Sequence, residues 1–174
     1  LITALSLAAI MASGYFALPS FLPFHPHDDV SESEAQRRTE AFASMTPVLL
    51  PVVQPEERPA ATAAMRLLPS AEASLQEDTQ RARVKLVWIT LFDANAEDGD
   101  AVRVETDGFR QDVVLRKSPV RIAIPVGPTG TVRLTGIIDG EGGGVTPGIV
   151  TPLGPVPLPV LSVGQSINVP VIVP

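Results

Sequence analysis

Hydrophobic and polar positions divide this chain into three stretches. The first, LITALSLAAIMASGYFAL from Leu1 to Leu18, is apolar and carries no charge. The second is polar at its start and then punctuated by prolines. The third begins at Val84 and alternates with the two-residue period of a half-buried strand. Val102 and Val104 flank Arg103, while Val120, Ile122 and Ile124 are separated by Arg121 and Ala123. Strands are predicted at 84–92, 101–105, 111–115, 120–126, 131–138, 148–151 and 166–173. Turn residues separate them: Asp107-Gly108, Pro128-Thr129-Gly130, the run Gly140 to Gly144, and Val163-Gly164-Gln165. The proline-rich 152–160 cannot supply the donors of a central strand, so it is expected to wrap an edge or cross between sheets. Short strands at this spacing predict a mainly β fold. Its C-terminal domain, 84–174, is expected to be an antiparallel β-sandwich of the immunoglobulin-like or C2-like kind, preceded by a linker over 25–83 and an anchor over 1–24.

As a helix rising ~1.5 Å per residue, 1–18 would reach roughly 27 Å, close to the ~30 Å of a bilayer's hydrocarbon. A single transmembrane helix is therefore expected, stopping near Pro19, with Tyr15, Phe16, Phe21 and Phe24 at the interface. No Lys or Arg precedes Arg37, so the C-terminal side has no positive charge to hold it in the cytoplasm. The expected address is a bacterial inner membrane, single-pass, with the C-terminal domain in the periplasm. Because the sequence opens on Leu rather than Met, further residues are expected before it, and retention of the segment is favoured over a cleaved signal peptide or a buried helix. Ser13 and Gly14 form a small-residue patch suited to close packing against another span.

Ser31 and Glu34 have the spacing of a capping box and predict a short polar helix over 31–45. Prolines then recur at Pro47, Pro51, Pro55 and Pro59, which favours an extended path. Val48, Leu49, Leu50, Val52 and Val53 are apolar where a free tether would be polar, so something must cover them, either the chain's own sandwich or a partner subunit. Two further short helices are expected over 60–68 and 70–83, broken at Pro69 and with Ser70 capping the second.

Composition narrows the function. A net charge of −6 gives no electrostatic reason to bind nucleic acid, and the absence of cysteine removes disulfides, thiolate metal sites and cysteine nucleophiles. The serines lack a nucleophile-elbow context, and the glycine run has neither a following helix nor a Lys-Ser/Thr pair for phosphate. No enzyme is expected. The acidic loop Asp93, Asn95, Glu97, Asp98 and Asp100 offers the hard oxygen ligands that Ca²⁺ takes, but it departs from the EF-hand spacing, so a hydrogen-bonded turn around Gly99 is favoured over a metal. His25 and His27 could contact a metal or an interfacial pigment only with donors from a partner, and a solvated loop is favoured there. No cofactor is expected. Trp88 is expected in the core rather than as a platform for sugar.

The run VWITLFDANAEDGDAVRV (Val87 to Val104), followed by Ser118-Pro119-Val120, resembles a group of largely uncharacterised bacterial exported β-sandwich domains with an aromatic-rich first strand and a D-x-x-x-E-D-G-D turn. The likeness covers about forty residues, and the glycine-rich and proline-rich segments after Asp139 depart from it. The resemblance implies a sandwich fold and an envelope location, and brings no catalytic residues with it.

Together these readings predict a non-catalytic accessory subunit of a bacterial membrane protein complex. Among such complexes, photosynthetic reaction-centre and antenna assemblies are the first candidate by general analogy. Residues 1–18 would contact lipid, and Ser13, Gly14, Val48, Leu49, Leu50, Val52 and Val53 would contact partner subunits. The alternative is a free-standing, membrane-anchored periplasmic module that binds a glycan, peptide or metal.

Overall fold

The computed structural model describes residues 29–106, 108–128 and 130–174. The expected membrane helix over 1–18, with Ser13 and Gly14, and the pair His25 and His27 lie outside them. Among the described residues no helix is long and apolar enough to cross a membrane.

Two sheets face each other. The first contains β1 (Val48–Leu49), β9 (Ser166–Ile172), β6 (Thr131–Ile138), β3 (Ala101–Thr106) and β4 (Phe109–Val114) in that order. The second contains β5 (Val120–Val126), β2 (Lys85–Asp93), β7 (Pro147–Thr151) and β8 (Gly154–Pro157). All seven predicted strands are present, and β1 and β8 are additional. The pairings are antiparallel except β1 with β9, which run parallel, so the sheet is mixed at that edge. Alternate residues point between the layers: Val87, Ile89 and Leu91 from β2 meet Val102, Val104, Val132, Leu134 and Val169 from the facing sheet, all fully buried. The proline-rich segment behaves as its missing donors require. Gly154–Pro157 forms the outer edge strand, and the chain then crosses to the first sheet with Leu158 and Leu161 buried.

The stretch expected to be a linker is instead part of the sandwich. Val48 and Leu49 pair with Val171 and Ile172 on the edge of the first sheet. Three residues later the chain has moved to the second sheet: the Pro51 carbonyl accepts from the Trp88 N–H, and the Val53 N–H donates to Leu86. That half of β2 has no β7 beside it, because β7 pairs only with Leu91 to Asp93. The strap fills the gap and sends Val48, Leu50 and Val53 into the core, its alternation shifting by one residue where it changes sheets. The expectation that these three contact a partner is thereby corrected; Leu49 and Val52 stay on the surface side.

Helix α1 (Glu32–Ala43) begins at Ser31, whose hydroxyl accepts from the Glu34 N–H at 3.3 Å. The Glu34 carboxylate turns to Arg37 and Arg38, so only half of the expected capping box forms. Phe42 from this helix and Met45 just after it pack on the core. Helix α2 (Arg58–Ala64) packs on β5 and buries Ala61, with Met65 at its C-cap and Ala123 of β5 buried as well. Pro69 starts α3 (Pro69–Gln80) rather than breaking a longer element, because the first helical position needs no N–H donor; Leu68, not Ser70, is the cap residue. That helix ends three residues before Arg83 in a Schellman turn: Arg83 donates to Asp78, Ala82 donates to Thr79, and Ala82 has φ +54°. An alanine there carries a Cβ penalty that glycine avoids. Ala82→Gly is therefore expected to stabilise the chain by about 1 kcal/mol, read from thermal melts.

Trp88 is half-buried on the outer face of β2. Its indole N–H donates to Glu57 Oε2 at 3.1 Å, and the Arg121 guanidinium lies 4.0 Å above its ring. The expectation of a core tryptophan is met in part, since the ring is half-buried and packs against the core, and with its face covered by Arg121 it is no open platform for a sugar.

Candidate metal centre

Three passages between the sheets gather at one end of the sandwich: β2 to β3, β4 to β5, and β6 to β7. Backbone hydrogen bonds tie them together. Asp93 donates to the Arg116 carbonyl, Ala94 to Thr146 and Leu115 to Asp100, each at 2.8 Å. Asp93 is the last residue of β2, and alternation turns its side chain inward, so a carboxylate takes a position that an apolar residue would otherwise hold. Asp100 immediately precedes β3 and Asp98 lies on the turn before it. The three carboxylates converge, with one oxygen from each lying within 4.8 Å of the others. Asp93 is 1% exposed and Asp100 0%, while Asp98 is half-buried.

Most of their oxygens are engaged. Asp93 Oδ1 accepts from the Asn95 N–H at 3.0 Å and lies 3.1 Å from the Thr146 hydroxyl. Asp98 accepts from the N–H groups of Asp100 and Glu141. Asp100 accepts from Gly140 N–H at 3.1 Å on one oxygen and from Thr146 N–H at 2.7 Å on the other. Asp93 Oδ2 is different: it is buried and has no hydrogen-bond partner. The glycine-rich loop fits closely over the cluster, since a Cβ on Gly140 would collide with the Asp98 carbonyl oxygen. Gly140 is therefore required by close approach rather than by an unusual φ.

Burial raises the Asp93 carboxyl above its ordinary range, with Asp98 adding to the effect. Burial likewise pushes Asp100 up to about 6, against the pull of the Thr146 and Gly140 N–H groups. Two ionised carboxylate oxygens within 4.8 Å of each other repel by at least roughly 3.5 kcal/mol at an effective dielectric constant of ~20, so the ionised cluster opposes folding unless a cation or proton offsets it. The Lys117 ammonium is nearby, but it donates to the backbone carbonyls of Asp93 and Asn95 rather than to a carboxylate.

Of the five oxygen donors anticipated in this loop, the fold brings Asp93, Asp98 and Asp100 together. Asn95 and Glu97 have other roles: Asn95 closes the turn through its N–H and carbonyl, and Glu97 accepts from the Lys117 N–H at 2.8 Å. Sequence reasoning missed Thr146, Gly140 and Glu141, which complete the cluster from across the sandwich. The glycine run marked a turn, but nothing in it indicated which loop it would cover.

Fold and site together define a two-sheet β-sandwich with a strap strand and a buried cluster of acids at the end where the chain changes sheets. Comparison with known proteins finds no matching family model, no matching curated protein and no matching solved structure.

Proposed function

We propose that this chain is a non-catalytic accessory subunit of a bacterial membrane protein complex, held in the inner membrane by residues 1–18 with its sandwich docked on partner subunits at the periplasmic side. The immunoglobulin-like or C2-like kind of sandwich suits this work, because its rigid layers leave edges and end loops free for contact. The observation that carries the reading is an apolar facet where the strap, the β7–β8 turn and the C-terminal strand meet. Leu49, Pro51, Val52, Pro152 and Pro174 line it with Gln54, and none of these side chains is charged. Ile172 lies beside Leu49 in register, and Leu153, the residue after Pro152 in the chain, is 98% exposed.

The facet's chemistry selects its partner. Three of its residues are prolines with no backbone N–H, which removes donors for strand addition and leaves shape and apolar burial as the source of affinity. Its lining has no Lys or Arg to attract anionic lipid headgroups. An apolar patch on a protein subunit fits both conditions. In mild-detergent extracts of native membranes, the wild-type chain is expected to migrate in a high-mass species on native gels. Leu153→Asp, at a position that costs almost nothing in folding, is expected to release it as a monomer with an unchanged melt. Wild-type chain running as a monomer, or a variant that stays in the large species, would overturn the proposal.

A further inference from the structure

We propose that the end of the sandwich formed by Asp93, Asp98 and Asp100 is a calcium-binding site. The inference goes beyond the docking role and does not depend on it. Convergence of acids alone would not support it, because backbone N–H groups already serve most of their oxygens. The independent observation is Asp93 Oδ2, an oxygen with no partner on a side chain that is 99% buried, within a carboxylate that belongs to the cluster. A buried carboxylate oxygen without a donor is a rare and costly arrangement, and a cation is the partner that three neighbouring acids would jointly select.

Dimensions and donor type choose the ion. Oxygens on opposite sides of Ca²⁺ at 2.3–2.6 Å are at most about 5 Å apart, whereas those around Mg²⁺ at 2.0–2.1 Å are at most about 4.2 Å apart. Three carboxylate oxygens within 4.8 Å of one another lie inside the Ca²⁺ limit without movement of the main chain, and the magnesium titration below tests the smaller ion. The cluster's ligands are all hard oxygens, with no imidazole or thiolate among the three, which disfavours Zn²⁺ and copper. Asp98 and Asp100 can keep their backbone hydrogen bonds and use remaining lone pairs on the metal. Half-buried Asp98 leaves a side from which water completes the coordination.

Asp93→Asn separates a calcium site from a hydrogen-bonded turn. Its amide oxygen can keep the Oδ1 contacts with Asn95 and Thr146, while its NH₂ replaces the unpartnered oxygen, so the turn survives and a ligand is lost. The full chain in mild detergent, stripped with chelator at pH 7.5, is titrated with CaCl₂ or MgCl₂ while its melting temperature is followed. For the wild type, calcium should raise the melt in a saturable way at micromolar to sub-millimolar concentration, and magnesium should need at least tenfold more. Without metal, Asp93→Asn should melt at or above the wild-type temperature because one repelling charge is gone, and calcium should not raise it. The half-buried Asp98→Asn should weaken calcium at least tenfold and serves as a second variant. A wild-type melt unmoved by 10 mM calcium, an equal response to magnesium, or an Asp93→Asn chain that responds like the wild type would each overturn the proposal.

Discussion

A chain cut back to residues 84–174, the span that strand patterning alone would select, is expected to lose its cooperative melt at room temperature. A chain that starts just before Val48 is expected to keep most of it. Truncation removes Val48, Leu50 and Val53, all buried between the layers, and strips the partner from the first half of β2. Burial of one such side chain contributes ~1.5–3 kcal/mol, so three come to roughly 4.5–9 kcal/mol, an upper estimate. Net stability of a domain this size is about 5–15 kcal/mol, so the strap is comparable with the whole margin. Cover from Ala61, Met65 and Leu75 is lost as well. The β2 edge left open would also become a site for pairing between chains. Circular dichroism melts and size-exclusion profiles of the two truncations provide the test. A cooperative, monomeric 84–174 would show that the strap merely decorates the core. Within the full chain, Leu50→Ala makes the same point at a cost of about 2–5 kcal/mol.

Acidification from pH 7 to pH 5, with chelator present, is expected to stabilise the protein. Asp100 has its folded pKa raised from 3.8 to about 6, so the native state takes up a proton that the unfolded chain does not hold between those values. Stability from this group is fully present below pH 3.8, is lost as pH rises through 6, and the difference amounts to roughly 3 kcal/mol. Asp93 is raised by burial and acts in the same direction. Glu34 and Asp112, lowered by their arginine partners, and Glu57, lowered by Trp88, have the opposite sign, so stability falls again as pH drops through their depressed values. The resulting maximum lies between pH 3.8 and 6, the window in which the native state holds the extra proton on Asp100. Asp100→Asn should flatten the slope between pH 5 and 7, but at a lower melting temperature, because an amide can accept on only one of the two arms that Gly140 and Thr146 need. Melting temperatures at half-unit pH steps would reveal the maximum; a steady decline from pH 7 to pH 5 would contradict it. Calcium should suppress the acid stabilisation, since the ion and the proton compete for the same oxygens.

The two sheets were legible because a two-residue period needs only local information. A strand with one buried face writes that face into its own sequence, as Val102 and Val104 do, and turn residues marked the ends of the others. The strap was harder to read. Prolines at Pro51 and Pro55 excluded a helix and the exposed cost of Leu50 demanded a cover, but the sequence offered the sandwich and a partner as equal choices. Only the three-dimensional sheet, with half of β2 lacking a neighbour, decided between them. In the same way, Asp93, Asp98 and Asp100 were visible as acids in one loop, whereas Thr146, Gly140 and the solitary oxygen of Asp93 acquire meaning from a meeting of residues about forty to fifty positions apart. Sequence by itself determined the layers, the turns and the absence of thiol chemistry, because each depends on residue type and near neighbours. Tertiary structure alone decided which apolar side chains are consumed by the core and which carboxylates share a space, because both depend on how the chain crosses between its sheets.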